Sequence, residues 1–356
     1  MNRRHFLQFA ALSLSSLGYS ALAGAAESEP VLLSAHLGDG AQGVGRVALN
    51  TPQSAAINLP GRGHGIVPLS KGEAIVVSRR QGSWLAKINW QRGELLKLVD
   101  AEFDRHFFGH ALLSPDGNTL LTTENNDESG QGVLGLYDAA TLRRLGEMPT
   151  QGIGPHELLW LVPGKILAVA NGGILTLPET GRAKLNRGAM SANLTLLDWP
   201  SGKALAQYEL ADKALSLRHL ALASDGTLGV AMQAEYASVA QHSEAPLLAY
   251  LRPGASELVI AQQTPKLMGY GASIAAVGNQ FLISALRGGQ LARWRSDGTP
   301  LESISIERPA GIASNGQQAW ISSEAGSIYG YSPASNTVKA LEQYTRRQWD
   351  NHLILA

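Results

Sequence analysis

Seven short apolar runs, each flanked by turn residues, recur along the chain. They are Val31–Ala35, Ala74–Ser78, Thr119–Thr123, Ile166–Ala170, Leu228–Met232, Phe281–Ala285 and Ala319–Ser323. Most follow a second apolar stretch and a tight Asp-Gly or Pro-Gly turn, where Gly accepts the positive φ that hairpin turns demand. The period of about 47 residues has room for a four-stranded sheet with loops, without helical interruption. The pattern predicts an all-β fold, a seven-bladed β-propeller, with six or eight blades as the main alternatives.

The two ends of the chain fit a closed ring of blades. The first apolar run, from Val31, matches the second strand of the other repeats. The last residues, 351–356, resemble a first strand such as 109–114. We therefore predict that the C-terminal strand completes the first blade and closes the ring.

Residues 1–26 have the features of an export signal. Arg3 and Arg4 precede Phe6-Leu7, a weakly apolar stretch rich in Ala, Leu and Ser follows, and the segment ends in small residues that fit a cleavage site. The stretch is too weakly apolar for a membrane anchor. We predict a twin-arginine signal peptide over 1–26, a single propeller domain over 27–356, a periplasmic location, and no membrane span after cleavage.

Charge and composition exclude several classes of function. The chain has 356 residues, with 29 Lys and Arg against 29 Asp and Glu, and removing residues 1–26 leaves 27 basic against 29 acidic side chains, a net charge of −2. This balance argues against nucleic acid as a partner, because such binding needs a basic surface. The chain has no Cys, which excludes disulfides, thiolate metal sites, iron–sulfur clusters and Cys nucleophiles. A closed propeller leaves only short sheet edges, so we expect a monomer.

Histidines recur where the innermost strand of a blade would begin. Alignment of the repeats places one in each of blades one to five, whereas Gly271 and Pro309 fall at that position in blades six and seven. We expect these histidines to surround one mouth of the central channel, on the rim that carries the longest loops. With the nearby polar residues, the predicted ligand-binding set is His64, His110, His156, His219, His352, Arg62, Arg218, Glu124 and Asn171. Weaker polar candidates beside them are Asn125, Glu157 and Asp350.

Several functions of such a histidine ring are compatible with the sequence. Neutral imidazole is a common ligand of iron, copper and zinc, so a transition metal is the predicted cofactor. We expect the channel to be too wide for all five histidines to reach one metal ion. The predicted metal site is therefore a subset of them, His64, His110 and His156. The imidazoles could instead bind an anion, act in acid–base catalysis, or support neighbouring loops as in WD-type propellers. No catalytic residue is assigned, and His36, His106 and His242 are predicted to lie on the surface.

The chain resembles a known bacterial family. The resemblance rests on Arg3-Arg4, Gly63-His64, Gly109-His110, the stretch 153–157 and the C-terminal stretch 348–353. The family is catalogued as domain of unknown function 1513, and it is similar to YVTN-type propellers and to the quinoprotein amine dehydrogenase β-chain. Its members are typically encoded beside imelysin-like proteins and a di-haem oxidoreductase-like protein, so the resemblance implies a periplasmic partner of one of these kinds and a role in iron handling.

Two hypotheses of different classes follow. The first is a periplasmic binding or scaffold propeller for iron or another transition metal, whose histidine-lined channel mouth holds a metal, a chelate or a partner. The alternative is a lactonase-like hydrolase that uses the same histidines. A quinoprotein-type oxidoreductase is weaker, because the cofactor-ligand motifs of quinone-binding propellers are missing.

Overall fold

The computed structural model describes residues 30–38, 40–48, 56–181, 183–262 and 266–356. Within these ranges, 28 strands form seven four-stranded antiparallel sheets. The predicted signal peptide lies outside the described residues. None of the helices in the described ranges is long and apolar enough to cross a membrane.

The strands follow one another blade by blade along the chain. Blade one begins with β1 (Val31–Gly38), β2 (Ala41–Ala48) and β3 (Ala56–Asn58). Blade two contains β4 (Gly63–Pro68), β5 (Glu73–Ser78), β6 (Trp84–Asn89) and β7 (Glu94–Asp100). Blade three contains β8 (Arg105–Leu113), β9 (Thr119–Asn126), β10 (Gly132–Asp138) and β11 (Arg144–Pro149). Blade four contains β12 (Pro155–Val162), β13 (Ile166–Asn171), β14 (Asn193–Asp198) and β15 (Ala204–Glu209).

The remaining blades follow the same plan. Blade five contains β16 (Leu215–Leu222), β17 (Leu228–Ala234), β18 (Leu248–Leu251) and β19 (Val259–Ile260), with a short helix α1 (Val239–Ser243) between β17 and β18. Blade six contains β20 (Gly271–Val277), β21 (Gln280–Ala285), β22 (Gln290–Arg295) and β23 (Pro300–Ser305). Blade seven contains β24 (Pro309–Ser314), β25 (Ala319–Ser323), β26 (Ser327–Ser332) and β27 (Thr337–Gln343). The last strand, β28 (Arg347–Leu355), returns to blade one and pairs with β1. The predicted seven-bladed propeller and its closure by the C-terminal strand are confirmed.

Apolar side chains between adjacent blades hold the ring closed. At the junction of blades seven and one, Trp349 of β28 is fully buried among Leu32, Trp320 and Ile328. Because removing a large buried side chain costs about 3–5 kcal/mol, this junction contributes strongly to closure. The innermost strands of the blades are β28, β4, β8, β12, β16, β20 and β24, and they surround the channel.

Candidate metal centre in the channel

Each innermost strand is interrupted by a β-bulge. In β4, Gly63 pairs with Ser78 and Ile66 pairs with Val76, so two residues, His64 and Gly65, face a single residue of β5. The ladders of the other six innermost strands are interrupted at the equivalent place. A bulge re-aims the side chains that it contains. Here it directs five histidines from five strands towards one another in the channel.

The histidines occupy two different positions of the bulge. His64 and His156 are the first residues after the pairing breaks. His110, His219 and His352 come directly before the pairing resumes. The alignment from sequence placed all five at one position. Counted from the residue at which pairing resumes, the two positions differ by one residue. This stagger along the channel axis allows more imidazoles to fit than a single ring of equivalent positions would hold.

Blades six and seven differ from the other five at the bulge. Gly271 and Pro309, the residues that the sequence placed there, precede the bulge and still pair with β21 and β25. The bulge itself contains small residues, Ala272-Ser273 in blade six and Ala310-Gly311 in blade seven. The histidines therefore come from five adjacent blades, and the bulges of blades six and seven contribute none.

His110 lies at the centre of the five-histidine cluster (His64, His110, His156, His219 and His352). Its ring centroid is 5.2 Å from that of His64, 4.6 Å from His156, 5.3 Å from His219 and 4.5 Å from His352. The rings are therefore in contact, closer than the sequence-based expectation of a wide channel. Glycines make this approach possible, because a Cβ on residue 65 would lie 2.4 Å from the carbonyl oxygen of Gly109.

Two groups of three histidines could each hold a metal ion. In each group, one ring nitrogen of every histidine lies within 4.8 Å of the others. The Asp350-side group contains His64, His110 and His352, and the Arg218-side group contains His110, His156 and His219. The predicted combination of His64, His110 and His156 is not one of these groups. The ring centroids of His64 and His156 are 6.4 Å apart, farther than any two centroids within either group.

A buried carboxylate supports the Asp350-side group. His64 Nδ1 lies 2.5 Å from Asp350 Oδ1, and the second carboxylate oxygen accepts hydrogen bonds from Arg62 Nε at 2.8 Å and Arg79 Nη1 at 3.1 Å. Asp350 is fully buried. With Nδ1 occupied, Nε2 of His64 is left for a ligand. This is how a carboxylate orients a metal-binding histidine.

In the Arg218-side group, Arg218 contacts a histidine as Asp350 does in the Asp350-side group. Its Nη1 lies 3.3 Å from His156 Nδ1, and its own Nε has no hydrogen-bond partner among the described residues. Since a guanidinium can only donate, His156 Nδ1 accepts and the proton of the neutral ring is on Nε2. His156 Nε2 faces His219 Nε2 at 3.3 Å.

Burial keeps the imidazoles neutral. Desolvation, together with the neighbouring imidazoles, lowers the pKa of His110, His156, His219 and His352 well below the usual value. Desolvation also lowers the pKa of His64, although Asp350 opposes the shift. Neutral imidazole is the form that binds metal ions.

Glu157 connects the two groups of histidines. Its carboxylate oxygens lie 3.8 Å from His110 Nδ1 and 3.3 Å from His219 Nδ1, and the backbone N–H of Leu220 donates to it at 2.8 Å. Burial raises the pKa of Glu157 to about 7. It therefore faces the outer nitrogens of the two rings, so that Nε2 of His110 is the nitrogen left without a partner among the described residues.

A cavity of about 240 Å³ opens beside the cluster. His64, His156 and His219 contribute to its wall, and five cationic side chains line it: Arg79, Arg80, Lys184, Arg218 and Arg287. Lys184 comes from the long loop of blade four and pairs with Glu235 at the end of β17. The cavity thus joins candidate metal ligands to a concentration of positive charge.

The other predicted site residues have different surroundings. Arg62 and Arg218 belong to the network around the histidines, as described above. Glu124 instead bonds Thr122, Tyr137 and Arg144, and Asn171 bonds Thr150, Asn193 and Thr195. Both are buried within or between blades and do not line the cavity.

Two of the histidines predicted at the surface are buried. His36 is 5% exposed and packs edge-on against Trp349. His106 is 2% exposed, and its Nδ1 lies 2.5 Å from Asp127. His36 is covered by Trp349 of β28, and His106 stacks on Phe108 of its own strand with ring centroids 5.2 Å apart. His242 is half-buried at the end of α1.

Sequence analysis missed most of the cationic side chains of the cavity. Arg79 and Arg80 directly follow β5, the second strand of blade two, and Arg287 follows β21, the second strand of blade six. Loops after second strands open onto the rim that carries the histidines. The position of these arginines directly after a second strand could therefore have predicted them from the sequence. Lys184 lies in the loop between β13 and β14, the second and third strands of blade four.

The fold and the site define a class of protein: a seven-bladed propeller with a histidine cluster and a cationic cavity in its channel. The chain belongs to the family described as protein of unknown function (DUF1513), whose profile matches residues 57–356. No curated protein matches the chain.

Solved structures of distant sequence share the fold. A hypothetical selenium-binding protein from Sulfolobus tokodaii superimposes with a TM-score of 0.71 at 12% identity, covering 92% of this chain and 94% of that one. Hydrazine synthase from Kuenenia stuttgartiensis gives a TM-score of 0.58 at 14% identity, covering 85% of this chain and 90% of that one. At these identities the likeness shows the propeller fold alone.

Proposed function

We propose that this chain is an exported binding protein that holds one transition-metal ion, iron, copper or zinc, on His64, His110 and His352. The observation that carries the proposal is the convergence of three neutral imidazoles, of which His64 and His110 are buried and His352 is half-buried. Two of them, His110 and His352, have a buried Nε2 with no hydrogen-bond partner among the described residues. All-imidazole ligand sets suit zinc, copper and iron rather than magnesium or calcium.

Electrostatics favours the Asp350-side group over the Arg218-side group. His156 Nε2 and His219 Nε2 are 3.3 Å apart, close to the separation of about 3.3 Å expected for two ligands of a tetrahedral zinc ion. However, Arg218 lies against His156 and would place a second positive charge beside the ion. Asp350 instead places a negative charge behind His64. Glu157 faces His110, which the two groups share, and His219, so it supplies a carboxylate to both groups. We therefore assign the ion to the group that has Asp350 as a second carboxylate and no Arg218 against its histidines.

The two groups cannot both be occupied. They share His110, whose Nδ1 faces Glu157, which leaves only Nε2 to bind an ion. The proposal therefore predicts one ion per chain.

The cellular part of the proposal is a role in periplasmic metal acquisition. It is supported by the twin-arginine pattern at Arg3-Arg4 and by the resemblance to a family encoded beside imelysin-like and di-haem proteins. A monomeric carrier or scaffold that delivers metal to one of these proteins fits both observations.

Metal analysis of single-histidine variants tests the assignment. The exported chain is purified, equilibrated with Fe(II), Cu(II) or Zn(II) in separate samples, and dialysed before elemental analysis. We expect about one ion per chain in the wild type, and loss of the ion in His110→Ala and His352→Ala. His156→Ala is expected to retain it, although it also removes a buried imidazole from the same cluster.

His242→Ala is the control for a histidine outside the cluster, and thermal unfolding checks that each variant is folded. Loss of the ion in His156→Ala with retention in His352→Ala would move the ion to the Arg218-side group. Absence of every metal from folded wild type would refute the proposal. Lactone hydrolysis by the same wild-type sample, lost in His110→Ala, would favour the hydrolase instead.

A further inference from the structure

The positive charge of the cavity has no part in holding a bare metal ion. A site for a cation alone is favoured by nearby negative charge, yet Arg79, Arg80, Lys184, Arg218 and Arg287 line the space beside the histidines. No carboxylate is among the described residues that line it. A cavity with one sign of charge and low-dielectric walls concentrates ligands of the opposite sign. Its natural occupant is therefore an anion.

Carboxylates compensate part of the positive charge of the cavity wall. Asp350 pairs with Arg79, and Glu235 pairs with Lys184. Arg218 is 5% exposed, and its Nε has no hydrogen-bond partner among the described residues. Arg287 stacks on Tyr270, with its guanidinium 4.7 Å from the ring centroid. Guanidinium groups bind carboxylates and other oxyanions in a bidentate manner.

The cavity also contains groups that bind a neutral hydroxyl. Asn351 is 3% exposed and donates from Nδ2 to the hydroxyl oxygen of Tyr270 at 2.9 Å. Its Oδ1 has no partner among the described residues, so it can accept a hydrogen bond from a ligand. Tyr270 retains its own hydroxyl proton as a donor. A ligand with both carboxylates and a hydroxyl would satisfy these groups together.

We propose that the cavity binds a small hydroxycarboxylate as a co-ligand of the metal ion, so that the protein captures a metal–hydroxycarboxylate complex rather than the bare ion. This inference depends on the proposed metal site. The volume of about 240 Å³ lies below the roughly 300–1,000 Å³ of sites for drug-sized ligands, which limits the ligand to a small anion. Such an anion would contact Arg218 and Arg287, and it would reach the ion beside His64, the ligand of the Asp350-side group that lines the cavity.

Calorimetric titration of the zinc-loaded protein tests the inference, with citrate, tricarballylate and inorganic phosphate as probes. Tricarballylate has the three carboxylates of citrate without its hydroxyl. Zinc retention is measured after each titration, because citrate also chelates zinc in solution. We expect citrate to bind at least tenfold more tightly than tricarballylate or phosphate.

A double variant, Arg80→Gln/Arg287→Gln, tests the cationic wall without altering a histidine. We expect it to bind zinc alone as the wild type does and to bind citrate at least tenfold more weakly. Arg92→Gln/Arg143→Gln removes the same charge from exposed turns of the outer strands and is expected to leave both affinities unchanged.

The outcomes separate this inference from the proposed function. Zinc binding without citrate binding, or citrate binding that is equal in wild type and Arg80→Gln/Arg287→Gln, would refute the hydroxycarboxylate site while the metal site stands. Equal affinity for phosphate and citrate would refute a hydroxycarboxylate and indicate a general oxyanion site. Failure of the wild type to bind zinc, iron or copper would refute the proposed function itself.

Discussion

Asp350 connects closure of the propeller to the candidate metal centre, and Asp350→Asn tests both. The residue lies on the closing strand β28 and is fully buried against His64, Arg62 and Arg79. Breaking a buried ion pair by removing one partner costs about 3–5 kcal/mol. The side chains of Arg62 and Arg79 are 25% and 17% exposed, so water partly compensates them, and we expect a loss of about 2–4 kcal/mol.

The loss is expected to depend on pH. Burial acts to raise the pKa of Asp350, but His64, Arg79 and Arg62 outweigh it and hold the pKa well below its usual value. A depressed pKa in the folded state stabilises the fold above the unfolded pKa of about 4, and this contribution disappears as the pH falls below that value. The difference between wild type and Asp350→Asn is therefore expected to be complete at pH 7 and to shrink towards pH 3.

Urea unfolding at a series of pH values measures the stability, and equilibrium dialysis measures the metal affinity. Because the carboxylate orients His64, its loss is expected to weaken metal binding by about 10–100-fold. Asp297→Asn, in an exposed turn, is the control and is expected to match the wild type in both assays. Asp350→Asn within 1 kcal/mol of wild type at pH 7, with unchanged metal affinity, would refute the electrostatic argument.

Three further predictions concern the scaffold. Gly65→Ala places a Cβ 2.4 Å from a backbone oxygen of Gly109, so urea unfolding is expected to show a loss of at least about 1–3 kcal/mol, and wild-type stability would contradict the close approach of the two strands. Deleting residues 347–356 removes the innermost strand of blade one, so thermal unfolding is expected to lose its cooperative transition, whereas a wild-type transition would show that the ring closes without β28. Burial raises the pKa of Glu124 in the folded protein above its value in the unfolded chain. The folded state therefore loses stability as the pH rises and Glu124 ionises. Glu124→Gln is therefore expected to gain stability relative to wild type between pH 4 and pH 8, and an unchanged difference in urea unfolding would contradict this.

The blade repeat could be predicted because it depends on local patterns that every blade repeats. Each blade has alternating apolar strands and a glycine turn, and the C-terminal strand resembles the first strands of the other blades. The five histidines were found for the same reason, since each belongs to a repeated segment. The repeat does not indicate how deep along the channel axis each histidine lies.

Depth depends on the bulges, and no residue type marks a bulge in the sequence. His110 and His219 come directly before the pairing resumes, whereas His64 and His156 come at the point where it breaks. A one-residue difference of this kind decides which imidazoles meet, and His64 and His110 form a candidate group with His352 rather than with His156. Glu124, which the sequence places near the histidines, instead bonds Thr122, Tyr137 and Arg144 within its own blade.

Blades six and seven show that the fold itself does not require the histidines. Their bulges have the same place and pairing pattern but contain only Ala272, Ser273, Ala310 and Gly311. Small residues there bury no polar ring and incur no desolvation cost. In the other blades, imidazoles are buried with nitrogens that lack partners, which costs about 1–3 kcal/mol for each unsatisfied group. A cost of this kind at a position that the fold can fill with Ala is typical of a binding site, because a bound ligand recovers it.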